Sequence, residues 1–346
     1  MTRFWVIGIV LLGCFLLGNA CKHCVSKEQC LEEKPLTNAR GNDCPPKQIC
    51  CKTLRGSFNW IKSEEQVRPT KISEVLVAHS KERLISRDQQ LCGLSNANGL
   101  DFRQEVTEDQ SRPGQYPWVV ALFSNNEYFS GGSLIAPHVV LTTAHRLVYK
   151  TAEDIMVRAG EWDLDSEEED FAFEEREVKR ITIHEKFHFP SGANNLALLF
   201  LYEPYELKKH IRTICLTTPL KSYDGRRCIV AGWGKRKFED LDNSAILKKV
   251  DLPVLNKNTC QEQLRNTTFG FNYQLPESFI CTGSGIGHVC SGDGGSALFC
   301  PVGGENSHVY EQIGIVNWSV KSGQTTYTDV GMFRTWIAEQ VLGFVN

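Results

Sequence analysis

Cysteine placement limits what this chain can fold into more than any other feature. Of its fourteen cysteines, Cys14 lies alone in an apolar run, Cys21, Cys24, Cys30, Cys44, Cys50 and Cys51 crowd one short stretch, and the rest lie between Cys92 and Cys300. Six cysteines in about thirty residues, with Gly, Pro and Asn between them, describe a domain too small for a core of its own and held by disulfides. Their spacing alone leaves 15 pairings open. A single Cys-x2-Cys at Cys21 and Cys24, with no matching pair or neighbouring His ligands, argues against a zinc site.

The N-terminus agrees with an oxidising destination. Arg3 precedes an apolar run from Phe4 to Leu17, and Gly18-Asn19-Ala20 supplies small residues for cleavage, so residues 1–20 read as a secretory signal. The run is shorter than the roughly 18 residues a membrane span requires, and no later segment qualifies. Net charge is −3, with no basic surplus to favour nucleic acid or an anionic membrane. The expected product is secreted and extracellular, with no nucleic-acid or membrane partner.

Residues 52–104 are charged and mixed, and read as a linker carrying one cysteine, Cys92; "SEVLVAHSKERLI" within it has the spacing of a short amphipathic helix. From about Glu105 the texture changes. "WVVALF", "SLIAPHVVLTTA", "LALLFL" and "CIVAGWG" are short β-rich runs punctuated by Gly, Asn, Asp and Pro, the pattern of an all-β barrel or sandwich domain. Only the final "FRTWIAEQVLGF" has helical spacing.

"GQYPWVVAL", "GGSLIAPHVVLTTAH", "NNLALLFL", "CIVAGWG", "CSGDGGSALFC", "IGIVNW" and "YTDVGMFRTWI" resemble, in order and spacing, the chymotrypsin-like serine proteases over residues 105–346. The cysteine-rich start, ending in Cys50-Cys51, resembles the clip domain of arthropod extracellular proteases, and "RAGEWDLDSEEEDFAFEEREVKRITIHEKF" resembles the matching stretch of clip-domain serine protease homologues. The resemblance implies a chymotrypsin-like double β-barrel with a C-terminal helix, preceded by a small disulfide-knotted clip domain at residues 21–51. It implies bridges Cys92–Cys215, Cys228–Cys300 and Cys260–Cys281. The family's bridge beside the active His is missing at both ends, at Ser130 and Arg146. Cys290 is left over, as an inert buried thiol or a site of intermolecular pairing.

Such proteases need a serine nucleophile, a His that takes its proton, and a carboxylate that fixes the His tautomer. The resemblance puts His145 in the base position, Asn195 in the carboxylate position and Gly294 in the nucleophile position. Gly292 and Gly294 retain the backbone of an oxyanion hole, which needs only N–H groups. Ser296, two residues on, is roughly 6 to 7 Å away along an extended chain, and Ser291 is no better placed. In active members a newly cut Ile or Val amine pairs with the Asp before the nucleophile. Here that Asp is Asp293, while the matching new terminus would be Glu105 after Gln104, leaving Asp293 without an inserted amine. His288 takes the position at the base of the specificity pocket, and Ser319 and Thr325 take positions where glycines usually form its walls.

Two other signals stand apart. "EWDLDSEEED" reads either as a solvated acidic loop or as a calcium loop headed by Glu161. Asn266-Thr267-Thr268 is a glycosylation sequon in polar surroundings, whereas Asn317-Trp318-Ser319 falls in the expected substrate floor. The resemblance implies a non-enzymatic cofactor or adaptor in an arthropod immune cascade of the prophenoloxidase type. Its implied partners are clip-domain proteases and prophenoloxidase or microbial surfaces, with no cofactor unless calcium binds. A weakly active endopeptidase and a masquerade-like adhesion protein are the alternatives.

Overall fold

The computed structural model describes residues 92–346 except 102, 286, 305, 306, 322 and 346, and, before them, the backbone of three short strands. The expected signal, most of the linker and the side chains of the six clip cysteines lie outside the described residues. The chain divides into two compact units, residues 1–77 and 78–346.

In the first unit, β1 (Cys24–Val25), β2 (Cys30–Glu33) and β3 (Ile49–Leu54) form an antiparallel sheet with β3 in the middle. Register sets Cys24 across from Cys50 and Glu33 across from Cys51. The central strand continues to Leu54, beyond the expected domain end at residue 51.

The second unit is a double β-barrel. The first barrel consists of β4 (Val119–Ser124), β5 (Glu127–Ala136), β6 (Val139–Thr142), β7 (Met156–Ala159), β8 (Glu174–Ile183) and β9 (Ala197–Leu201), closed in the order β4-β5-β6-β9-β8-β7. In the second, β11 (Arg227–Gly232), β12 (Lys248–Leu255), β13 (Phe279–Thr282), β14 (Ala297–Pro301), β15 (Tyr310–Ser319) and β16 (Thr325–Asp329) close through the β15–β16 pairing. The two-residue β10 (Cys215–Leu216) adds to β15 in parallel.

Strand alternation explains why two barrels form and why they adhere. Along β4, Val120 and Leu122 enter the core of the first barrel, while Val119, Ala121 and Phe123 turn outward into an aromatic seam with Trp118, Trp162 and Trp233. Along β14 the same rule sends Leu298 and Cys300 into the second barrel and Ala297 and Phe299 into that seam. A strand buried on both faces reads as a continuous apolar run, which accounts for "WVVALF" and "LALLFL".

Two helices complete the unit. The terminal one, α2 (Arg334–Val345), uses Ile337, Trp336, Val341 and Phe344 to cover Val139, Leu141, Leu198 and Phe200 on the outside of the first barrel. The other, α1 (Lys257–Arg265), goes beyond the sequence reading, which from Glu105 onward placed helical spacing only at the end. Its signals are local: Asn256 caps it by accepting the Thr259 N–H at 2.9 Å, and Cys260 and Leu264 share its buried face.

The barrels carry the bridges Cys92–Cys215, Cys228–Cys300 and Cys260–Cys281. Residues 92–100, within the expected linker, are docked rather than strung out. The Gly93 N–H donates to Thr213 O, the Ser95 N–H to His308 O, the Leu100 N–H to Pro113 O, and the Tyr310 N–H to Gly93 O.

Candidate functional site

Three loop segments at the seam meet around one imidazole. His145 follows β6, Asn195 precedes β9, and Gly294 precedes β14. Asn194, at φ 55°, occupies the left-handed region that Asn tolerates, and its N–H is held by Ser278 Oγ at 3.0 Å. This turn delivers the next side chain inward, so that Asn195 is 2% exposed.

Hydrogen bonding fixes the orientation of the Asn195 amide. The His145 backbone N–H can only donate, and it reaches Asn195 Oδ1 at 2.9 Å. Asn195 Nδ2 therefore faces His145 Nδ1 at 2.9 Å and also donates to Asn317 Oδ1 at 3.0 Å. His145 Nδ1 is thus an acceptor, and the neutral ring carries its hydrogen on Nε2, opposite to the arrangement a general base needs. Burial, assisted by the neighbouring Arg146 charge, pushes the imidazole down to about 4.

On the other side of the ring there is a serine-sized space. A Cβ at Gly294 would stand 3.5 Å from both His145 Cε1 and Nε2, in ordinary contact. The Gly294 carbonyl is gripped by the Gly131 N–H at 3.0 Å and by Ser130 Oγ at 2.8 Å. Among the described residues, the Gly292 and Gly294 amides donate no hydrogen bond. Ser296 is fully buried, and Cβ atoms at Gly131 and Gly232 would fall 2.2 and 2.6 Å from its Oγ. Its hydroxyl thus points into the seam between two glycines. Ser291 is exposed.

The pocket residues are not arranged as expected. His288 is exposed, with its ring 6.1 Å from Phe238, and so does not form a buried floor. Ser319 and Thr325 are cross-strand partners whose hydroxyls bond at 2.9 Å, fastening β15 to β16. Cavities of about 760 Å³ and 520 Å³ lie elsewhere, beside Gln263, Asn266 and Lys321 and beside Thr217, Tyr223 and Asp329.

Residues 105–337 match the trypsin family model. The chain is 40% identical over 273 residues to phenoloxidase-activating factor 2 of Galleria mellonella, covering 73% of this chain and 89% of that one. It is 31% identical over 342 residues to inactive CLIP domain-containing serine protease A8 of Anopheles gambiae, covering 90% and 91%. The chain belongs to the trypsin family, as a clip-domain serine protease homologue.

Two features of the homologue depart from its sequence reading. The Glu161 carboxylate is turned inward rather than held in a solvated acidic loop. It is 4% exposed, and the Arg158 guanidinium donates to its Oε2 at 2.9 Å and to Glu175 at 2.8 Å, so an internal cation lies between these carboxylates. Among the described residues no cluster of three or more His, Cys, Asp or Glu could hold a metal ion. The second departure concerns Asp293, which is not left unpaired. Lys248, 2% exposed at the start of β12, places its ammonium on Asp293 Oδ2. Alternation carried the signal: Lys248 is in phase with the inward Val250, Leu252 and Val254. Cys290 is a buried free thiol, pushed up to about 11 by burial. No helix among the described residues is long and apolar enough to cross a membrane.

Proposed function

We propose that this homologue is a secreted, non-hydrolytic cofactor or adaptor in an extracellular proteolytic cascade of insect immunity, of the phenoloxidase-activating kind. The observation that carries the reading is Gly294 beside a histidine whose Nδ1 is occupied by the Asn195 amide. Glycine offers no nucleophilic atom, and in trypsin-type enzymes the Asp-to-Asn change alone lowers kcat about 10⁴-fold. The buried Ser296 offers no substitute. What survives is a surface, and the relatives named as inactive proteases and as a phenoloxidase-activating factor support its use for binding. Clip-domain proteases and prophenoloxidase are the proposed partners. The proposed organisation is a signal at 1–20, a clip domain that begins at 21 and takes in β3 to Leu54, a linker and the double barrel. An N-linked sugar is assigned to the exposed Asn266 rather than to Asn317, which is 4% exposed and bonded to Asn195 and Thr328.

Reconstitution tests the reading. The purified protein should be inert toward Arg-, Phe- and Ala-based amide substrates and toward a serine-directed phosphonate. It should raise the yield of active phenoloxidase when added to a clip-domain protease and prophenoloxidase. Phosphonate labelling would favour an enzyme. Binding to microbes with no effect on phenoloxidase yield would favour an adhesion role.

A further inference from the structure

The loop between β13 and β14 contains Asp293, which is fully buried. Its Oδ1 accepts the Gly234 N–H at 2.9 Å, and its Oδ2 accepts the Cys290 N–H at 2.8 Å and the Lys248 ammonium. A Cβ at Gly234 would lie 2.4 Å from Asp293 Cγ, and one at Gly232 would lie 2.8 Å from Oδ1, so the chain is closely packed around the carboxylate. The Lys248 ammonium also donates to His288 O at 3.3 Å, and therefore grips the loop at two points. A buried carboxylate has to be paired. In an active relative the pairing charge is an amine created by cleavage. Here it belongs to a strand of the second barrel.

The segment that cleavage would free lies elsewhere. Residues 109–111 lie along the start of β12, with the Ser111 N–H donating to Leu247 O at 2.9 Å and the Lys249 N–H to Asp109 O at 2.8 Å. Gln104 and Glu105 before them are exposed. A carboxylate-bearing Glu105 terminus has no apolar side chain to draw it inward, and Asp293 already has its counter-ion.

We infer that Lys248 is a built-in replacement for the activation amine, so that the Val289–Ser296 loop is held in one arrangement whether or not the chain is cut before Glu105. Lys248 is thus a positioning residue for the face around Gly294. If that face is the cofactor surface proposed above, a partner reads it in the uncut protein, and cleavage acts on something other than this loop.

The loop contains its own reporter, Cys290, buried and unpaired, with its N–H on Asp293. The full-length secreted protein, carrying a site for an exogenous sequence-specific protease at residues 101–104, is labelled with 4,4′-dithiodipyridine before and after cutting, and the Cys290 peptide is followed by mass spectrometry. Labelling rates should agree within twofold. Lys248→Met should label Cys290 at least tenfold faster. A change of more than threefold on cutting would overturn the inference, as would a folded Lys248→Met protein that labels like the parent. The cutting comparison requires no change at Lys248, so it decides the matter even if that variant does not fold. Neither measurement involves a partner or phenoloxidase, so failure here would leave the proposed cofactor role to its own test.

Discussion

Asn195 determines which nitrogen of His145 carries the hydrogen, and that choice has a thermodynamic consequence. The folded imidazole is pushed down to about 4 from an ordinary 6.5, with burial the largest cause. Between these values the unfolded chain binds the proton and the folded one does not, so stability is full above pH 6.5 and falls as the pH drops towards 4. The loss attributable to this ring is at most about 3 kcal/mol. Glu169 acts with the opposite sign: burial, reinforced by Glu161, pushes it up to about 7, and its contribution is lost as pH rises from the ordinary carboxylate range. The two windows overlap, so the raw profile mixes them and a difference is needed. His145→Gln removes the first and leaves the second. Denaturant titrations at a series of pH values should show the parent losing more stability than the variant between pH 7 and 4, and parallel profiles would refute the assignment.

Strand alternation was the most legible part of the fold because strands such as β4, β9 and β14 face two apolar surroundings. Continuous runs such as "WVVALF" therefore announced both a barrel core and a seam. The terminal helix was legible for the same reason, since its apolar spacing repeats over several turns. Helix α1 was not, because two buried positions, Cys260 and Leu264, are too few to establish a period and its cap is a single Asn. The site was legible at Asn195 and Gly294, where the missing chemistry is a matter of residue type. Spacing puts Lys248 on the inward phase of its strand, but which carboxylate it meets and the exposed position of His288 depend on register and loop path, which residue spacing does not supply. The β15–β16 pairing also governs what repair of the triad can achieve. Gly294→Ser with Asn195→Asp restores nucleophile and carboxylate, and the 3.5 Å contact geometry accepts the new side chain. Asp293 already has its ammonium, so the oxyanion loop is not the obstacle. The Ser319 and Thr325 hydroxyls still join β15 to β16, and with these positions taken as the pocket walls they should deny a substrate side chain its place. Amide hydrolysis by the double variant should stay below about 1% of a typical family rate, and adding Ser319→Gly and Thr325→Gly should raise it at least tenfold. Rates in the family's usual range from the double variant alone would show that the hydroxyl pair closes nothing.

At the scale of the whole chain, the Cys92–Cys215 bridge determines what cleavage can separate. It spans 123 residues of sequence and fixes the docked segment to the edge of the second barrel, where Gly93 exchanges backbone bonds with Thr213 and Tyr310. A cut between residues 93 and 104 therefore leaves the two pieces joined covalently. A cut between residues 55 and 91 leaves no described disulfide between the clip region and the double barrel. The expected linker carries seven Lys and Arg residues between 55 and 91 but only Arg103 between 93 and 104, so a trypsin-like cascade protease has several sites for the second kind of cut and one for the first. With the Asp293 loop already pinned by Lys248, neither cut should reorganise the Gly294 face, and the remaining consequence is release or retention of the clip domain. Limited trypsin digestion followed by paired non-reducing and reducing gels should distinguish them. Products cut after Cys92 should run as one species until reduced, and products cut before it should separate at once. Substituting Cys92 and Cys215 together with Ala should make every linker cut release the N-terminal piece without reductant. If pieces cut after Cys92 separate in the parent without reductant, the tether does not join them, and control by clip retention fails with it.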